Sequence, residues 1–292
     1  EFMNKLSESN PMETPQSDLP QVIQHGKNQT PPVEGQPQQP KYDFPTEIIE
    51  LPSRGLLYPE GHPLAAGKIE IKYMTAREED ILSTQSYIKQ GVVLDKLCEA
   101  VIVTKGVKFD DLLVGDKNAL LLAARAYGYG PEYETKVTTS AGNEVPITID
   151  LSSVPHKVFD DTLITPHVNE FEYTLPKAGN VIKFKILTVG DQKRIDGDLK
   201  GLRKAQDIYG TQNLTTRFRY MILSVDGSTD KSNINKFIQN MLAVDSRAFR
   251  EYINKISPDV DLEVEGEDPE TGEPFRNNFE IGVDLFYPDF KG

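Results

Sequence analysis

Forty-five aspartates and glutamates, four histidines and one cysteine are the groups from which this 292-residue chain could assemble a reactive site. Paired carboxylates can act as general acid and base, and their abundance keeps that chemistry open on numbers alone. The run "REED" at 77–80 falls where a helix is expected to begin. The peptide dipole favours negative charge there by ~0.3–1 kcal/mol, so helix capping accounts for it. The histidines His25, His62, His156 and His167 lack the i, i+4 spacing that sets two imidazoles on one helical face, so no zinc site is expected. Cys98 lies in the apolar "KLCEAVIV" and reads as a buried structural thiol; a Cys–His pair would have to reach from there to a loop histidine. No Gly-x-Ser-x-Gly elbow occurs.

Two stretches imitate ligand loops and fail in detail. In "GHPLAAGKI" five residues separate Gly61 from Gly67 where a P-loop has four, Ile69 stands where Ser or Thr must hold magnesium, and a strand follows Lys68. "DGSTDKSNIN" lacks the sixth-position glycine and terminal glutamate of a calcium loop, and is expected to be a turn into a Ser- or Asn-capped helix. No catalytic residue, cofactor, metal or small-molecule substrate is therefore expected. A net charge of −13 opposes a phosphate backbone, and carboxylates interrupt the basic stretch "DQKRIDGDLKGLRKAQD". The expected partners are proteins, not nucleic acid. No run approaches the ~18 apolar residues of a membrane span, so no membrane insertion is expected.

The elements that would position these groups are legible in the pattern of turns and alternation. Glu1 and Phe2 ahead of Met3 read as a cloning scar, and residues 1–43, rich in Pro, Gln, Ser and Asn, are expected to be a disordered tail. "KIEIKYM" alternates as a half-buried strand with Ile69, Ile71 and Tyr73 on one face. Thr75 with Glu78 forms a capping box opening a helix that should stop at Gly91. A second helix is expected in "VVLDKLCEAVIV", a third over Ala119–Tyr127 capped by Asp116, and a hairpin in "YETKVTTSAGNEVPITIDL".

From Leu175 the same phrases return. "LPKAG" answers "LPSRG", "VIKFKIL" answers "KIEIKYM", and Thr188 with Asp191 answers Thr75 with Glu78. "RFRYMILSVDG" parallels "LCEAVIVTKG", "VDSRAFREYINKISPDV" parallels "GDKNALLLAARAYGYGPEY", and a hairpin with the turn "DPETG" closes the series. The reading is an α+β chain of two tandem related modules, residues 44–165 and 166–292. Each comprises a strand, helices and a terminal β-hairpin. At the C-terminus Leu285, Phe286, Tyr287 and Phe290 set four large apolar groups within six residues. Burying each is worth about 1.5–3 kcal/mol, so they are expected either in the chain's own core or in a partner interface.

"IIELPSRGLLYPEGHPLAAGKIEIKYMTAREEDIL", "GVVLDKLCEAVIVTKGV", "GDKNALLLAARAYGYGPEY" and the closing "VDLFYPD" carry a resemblance to the baseplate hub and hub-assembly proteins of T-even-like bacteriophages. It runs from about Phe44 to Phe290. The resemblance implies a structural or assembly part of the virion tail baseplate, passing through the host cytoplasm during assembly. Such a part works by contacts with other tail proteins and without turnover. It further implies cysteine pairs at the hairpin tips of some relatives; "TSAGN" and "DPETG" carry none, so zinc is not expected there. Two other classes remain open: a transient assembly chaperone absent from the mature virion, and a carboxylate-dependent hydrolase.

Overall fold

The structure, a computed structural model, describes residues 44–140, 142–205 and 213–287. The expected tail over residues 1–43 and the candidate contact residue Phe290 lie outside the described residues. Strand β1 (Thr46–Glu50) pairs antiparallel with β2 (Lys68–Lys72), Ile49 opposite Ile69 and Glu47 opposite Ile71. Alternation buries Ile69 and Ile71 and turns Lys68 to solvent. Thr75 then opens α1 (Ala76–Ser83) with the expected box: its hydroxyl accepts from the Arg77 N–H while Glu78 accepts from the Thr75 N–H at 2.9 Å.

The single helix expected up to Gly91 is broken in two. The hydroxyls of Ser83 and Thr84 both donate to the Asp80 carbonyl, at 3.1 and 2.7 Å. Such local bonds compete with the helical ladder. Thr84 leaves helical geometry, and α2 (Gln85–Gln90) follows, ending on Gly91 at φ 72° as expected for a glycine stop. Helix α3 (Val93–Val101) forms where expected and buries Val93, Leu97, Cys98 and Val101 at helical spacing, while Leu94, Ala100 and the following Ile102 are half-buried. Helix α4 (Val114–Tyr129) starts two residues ahead of Asp116. Asp116 is thus inside the first turn and does not cap it, a correction whose cause is given below. The hairpin of β3 (Glu132–Thr138) and β4 (Glu144–Asp150) pairs Tyr133 with Ile149 and Val137 with Val145.

Further along, β5 (Phe171–Thr174), β6 (Val181–Phe184) and β7 (Ile222–Val225) form an antiparallel sheet in that order. Between β6 and β7 run α5 (Val189–Ala205) and α6 (Asn213–Met221). Helix α7 (Lys231–Asn240) is capped by Asp230, which accepts from the Ser232 N–H, and not by Ser or Asn as expected. Helix α8 (Ala243–Ile256) leads to the hairpin of β8 (Glu263–Glu267) and β9 (Pro274–Asn278). Phe184 anchors this part, stacked on Phe171 at 5.5 Å and edge-on to Phe249 at 4.9 Å. Offset and edge-on pairs of this kind add to the area they bury.

The fold is mixed α+β. One continuous buried cluster runs from Leu51 to Phe286, so the boundary expected at residues 165/166 is not a break in packing. Residues from Phe44 onward form a single compact unit. The two hairpins meet in a second, small cluster of Val137, Val145 and Phe275. Asp268 clasps their tips together, accepting from the Thr139 hydroxyl at 2.8 Å and the Asn143 amide at 3.1 Å.

Candidate protein-contact site

Two perturbed titratable groups, Asp116 and Tyr58, are committed to holding backbone. The Asp116 carboxylate is fully buried and accepts from the Ser53 N–H at 2.9 Å, the Ser53 hydroxyl at 2.7 Å and the Tyr58 hydroxyl at 2.5 Å. This is why it does not cap α4: its oxygens are taken by the "LPSRG" loop. Burial pushes the Asp116 carboxyl above its ordinary value, opposed by the hydrogen bonds from Tyr58 and Ser53. Burial, then the neighbouring Asp116 charge, pushes the Tyr58 hydroxyl up. The same hydroxyl accepts from the Leu113 N–H at 2.9 Å, so one network fixes the loop, the start of α4 and the segment before it.

Asp245, also in a first helical turn and fully buried, accepts from the Lys177 and Ala178 N–H groups of "LPKAG" at 2.7 and 3.0 Å. A second pair of carboxylates repeats a second arrangement. Lys72 meets Glu78 at 2.7 Å, and Lys185 meets Asp191 at 2.7 Å, each acid closing the box with its Thr75 or Thr188. Desolvation raises both carboxyls. Hydrogen bonds from Lys72 and Thr75, and from Lys185, Thr188 and Arg194, outweigh it and hold them below the usual carboxylate range.

The N- and C-terminal parts are joined by a short antiparallel contact. Leu113 bridges Thr188; the Val114 N–H donates to the Leu187 carbonyl at 3.3 Å and the Val189 N–H to the Leu112 carbonyl at 2.7 Å. Gly115 is required here, because a Cβ at that position would lie 2.1 Å from the Pro258 carbonyl oxygen. Lys193 closes the contact, reaching Asp110 at 2.6 Å and Glu99 at 3.2 Å. A cavity of about 340 Å³ beside the junction has walls of Ile186, Leu187, Phe218 and Met221. Its charged Lys157, Arg217, Arg250 and Asp259 are already committed to Asn254, Gln192, the Ser246 carbonyl and Asn118 respectively.

The expected contact residues at the C-terminus are placed mainly inside. Leu285 and Phe286 are buried in the chain's own core, and the Arg125 guanidinium donates to the Leu285 carbonyl at 2.7 Å. As placed, they offer no surface; Tyr287 is half-buried. Cys98 is fully buried, and desolvation pushes its thiol well up, which suits a packing role. His62 lies stacked on Tyr58 and accepts from the Leu64 N–H at 3.2 Å, while the His167 ring contacts the Tyr58 carbonyl at 3.1 Å. Both imidazoles brace the loop that Asp116 holds. Among the described residues, no three His, Cys, Asp or Glu side chains converge as metal ligands.

What the surface does present is an apolar edge. Leu242 and Val244, at the start of α8, are 47% and 51% exposed. Their counterparts before Asp116, Leu113 and Gly115, are buried against the C-terminal part. The signal was in the sequence, in the two aspartates preceded by small and aliphatic residues; which copy would be covered was not. Comparison with protein-family models, with curated proteins and with solved structures finds no match to this chain.

Proposed function

We propose that this chain is a non-enzymatic structural or assembly subunit of a contractile-tail bacteriophage baseplate hub, built of two tandem related modules and acting through protein contacts. The single observation that carries the contact role is the exposed Leu242–Val244 edge, an apolar segment whose counterpart in the same chain is fully engaged. The module reading is supported by paired use of the same residues: Asp116 and Asp245 each hold an "LP-x-x-G" loop, and Lys72–Thr75–Glu78 and Lys185–Thr188–Asp191 build the same box. The buried acids are spent on scaffold, so their perturbed titration has a structural cause. The phage assignment rests on the resemblance of the quoted segments.

Mass spectrometry of purified tails, combined with reconstitution against purified hub proteins, tests this reading. Presence in the particle and a stable complex support a structural subunit. Presence in infected cells with absence from particles moves the role to a transient assembly chaperone. Catalytic turnover by the isolated chain, abolished by a single carboxylate substitution that leaves stability unchanged, would sink the reading.

A further inference from the structure

We propose that copies of this chain join head to tail, the segment Leu242–Val244 of one copy adding antiparallel to the edge Met74–Ala76 of the next. The proposal rests on the two-module reading, because the correspondence between modules identifies the two surfaces. Ile71 bridges Ile102 as Phe184 pairs with Ile222, the two boxes coincide, and Asp116 coincides with Asp245. That register lays Leu112, Leu113 and Val114 onto Met241, Leu242 and Ala243. It lays Leu187, Thr188 and Val189 onto Met74, Thr75 and Ala76.

The junction inside the chain uses one surface of each kind and leaves one of each over. Its two backbone hydrogen bonds have direct counterparts. Among the described residues, the N–H groups of Ala243 and Ala76 and the carbonyls of Met241 and Met74 have no hydrogen-bond partner. Unpaired edge groups of this sort are templates for another chain. Leu242, Ala243 and Val244 are exposed, as is Ala76, while Met74 and Thr75 are half-buried.

Charge and shape agree with this pairing. Lys193 and Glu99 close the internal junction at 3.2 Å. Their counterparts are Asp80 and Arg219: both signs are reversed, so opposite charges meet again across copies. Two features are not repeated: the shorter Lys193–Asp110 contact at 2.6 Å has the uncharged Gln239 in place of Asp110, and a larger residue stands in place of Gly115. Gly115 lies against Pro258, and Val244 takes the place of that glycine. The Met74 edge carries a hollow of about 140 Å³ lined by Met74, Thr75, Ala76, Glu79, Gly128 and Tyr129, room into which the larger side chain can enter. A contact between two different surfaces does not stop at a dimer; it extends as a filament or closes as a ring.

Sedimentation velocity of the full chain across the micromolar range tests this. Wild type is expected to exceed twice the 32.7 kDa monomer mass as concentration rises. Leu242→Asp and Asp80→Arg are each expected to weaken association about tenfold or more, worth ~1.4 kcal/mol. Asp80→Arg combined with Arg219→Asp is expected to restore it. Mixing the Leu242→Asp and Asp80→Arg variants leaves one live contact and should give a dimer that goes no further. A monomeric wild type, single variants that associate as wild type does, or a mixture that stays monomeric each overturns the proposal. If the chain is monomeric yet binds a purified hub protein through Leu242, head-to-tail joining fails and the contact-subunit reading stands. If it is monomeric and binds none, both fail.

Discussion

Asp116 and Asp245 do the same thing in different surroundings. Each is a fully buried aspartate in a first helical turn that accepts from the backbone of an "LP-x-x-G" loop, Asp116 from one N–H and Asp245 from two. The first loop is itself buried at Leu51, Pro52, Ser53 and Gly55, and adds a hydroxyl from Ser53 and another from Tyr58. The second is exposed from Pro176 to Gly179. A buried donor that loses its acceptor keeps its full desolvation cost, whereas an exposed one is rehydrated. The same motif therefore acts as a structural keystone in one place and a modest tether in the other.

The largest effect is expected from removing the keystone. Asp116→Ala strands three buried donors at about 1–3 kcal/mol each, so urea unfolding should show a loss of at least about 3 kcal/mol. Asp245→Ala, whose donors turn to water, should cost about 1 kcal/mol. Equal losses would break the comparison. Gly115→Val should come next, since its side chain enters the Pro258 carbonyl, with overpacking of about 1–3 kcal/mol. Val244→Ala at the matching exposed site should stay within about 0.5 kcal/mol in the same assay.

The smallest expected effect sharpens the contrast through pH. Glu78 and Asp191 have carboxyls held below the usual range. Their contribution is complete above the unfolded carboxyl pKa of about 4 and disappears as pH falls through the folded value. The paired Glu78→Gln and Asp191→Asn substitutions should flatten the acid limb of the stability profile. Asp116 has the opposite sign. With its carboxyl pushed up, the folded state holds the proton longer, so its contribution declines as pH rises from about 4 through the raised value. An unchanged acid limb in the double variant would show that the two boxes are mere geometry.

The elements that obey local rules were legible before the fold was known. The alternation of "KIEIKYM", the box at Thr75 and Glu78, the stop at Gly91 and both hairpins follow from side-chain period and turn chemistry. What was not legible depended on partners distant in the chain. Asp116 reads as a cap until Ser53 and Tyr58 arrive to occupy it. Leu285 and Phe286 read as core first and partner anchor second, and Arg125 and the cluster around them close on the first reading. Leu113 and Leu242 are alike in sequence, yet the first is buried in the core beside Thr188 and the second is exposed.

The clasp between the hairpin tips sets an order of events during synthesis. Thr139 and its acceptor Asp268 are 129 positions apart. At a translation rate of ~5–20 residues per second, the tip bearing Val137 and Val145 waits roughly 6 to 26 s for its cover. Through that interval the N-terminal hairpin leaves the ribosome with an apolar tip bare, a window in which a nascent chain is open to aggregation.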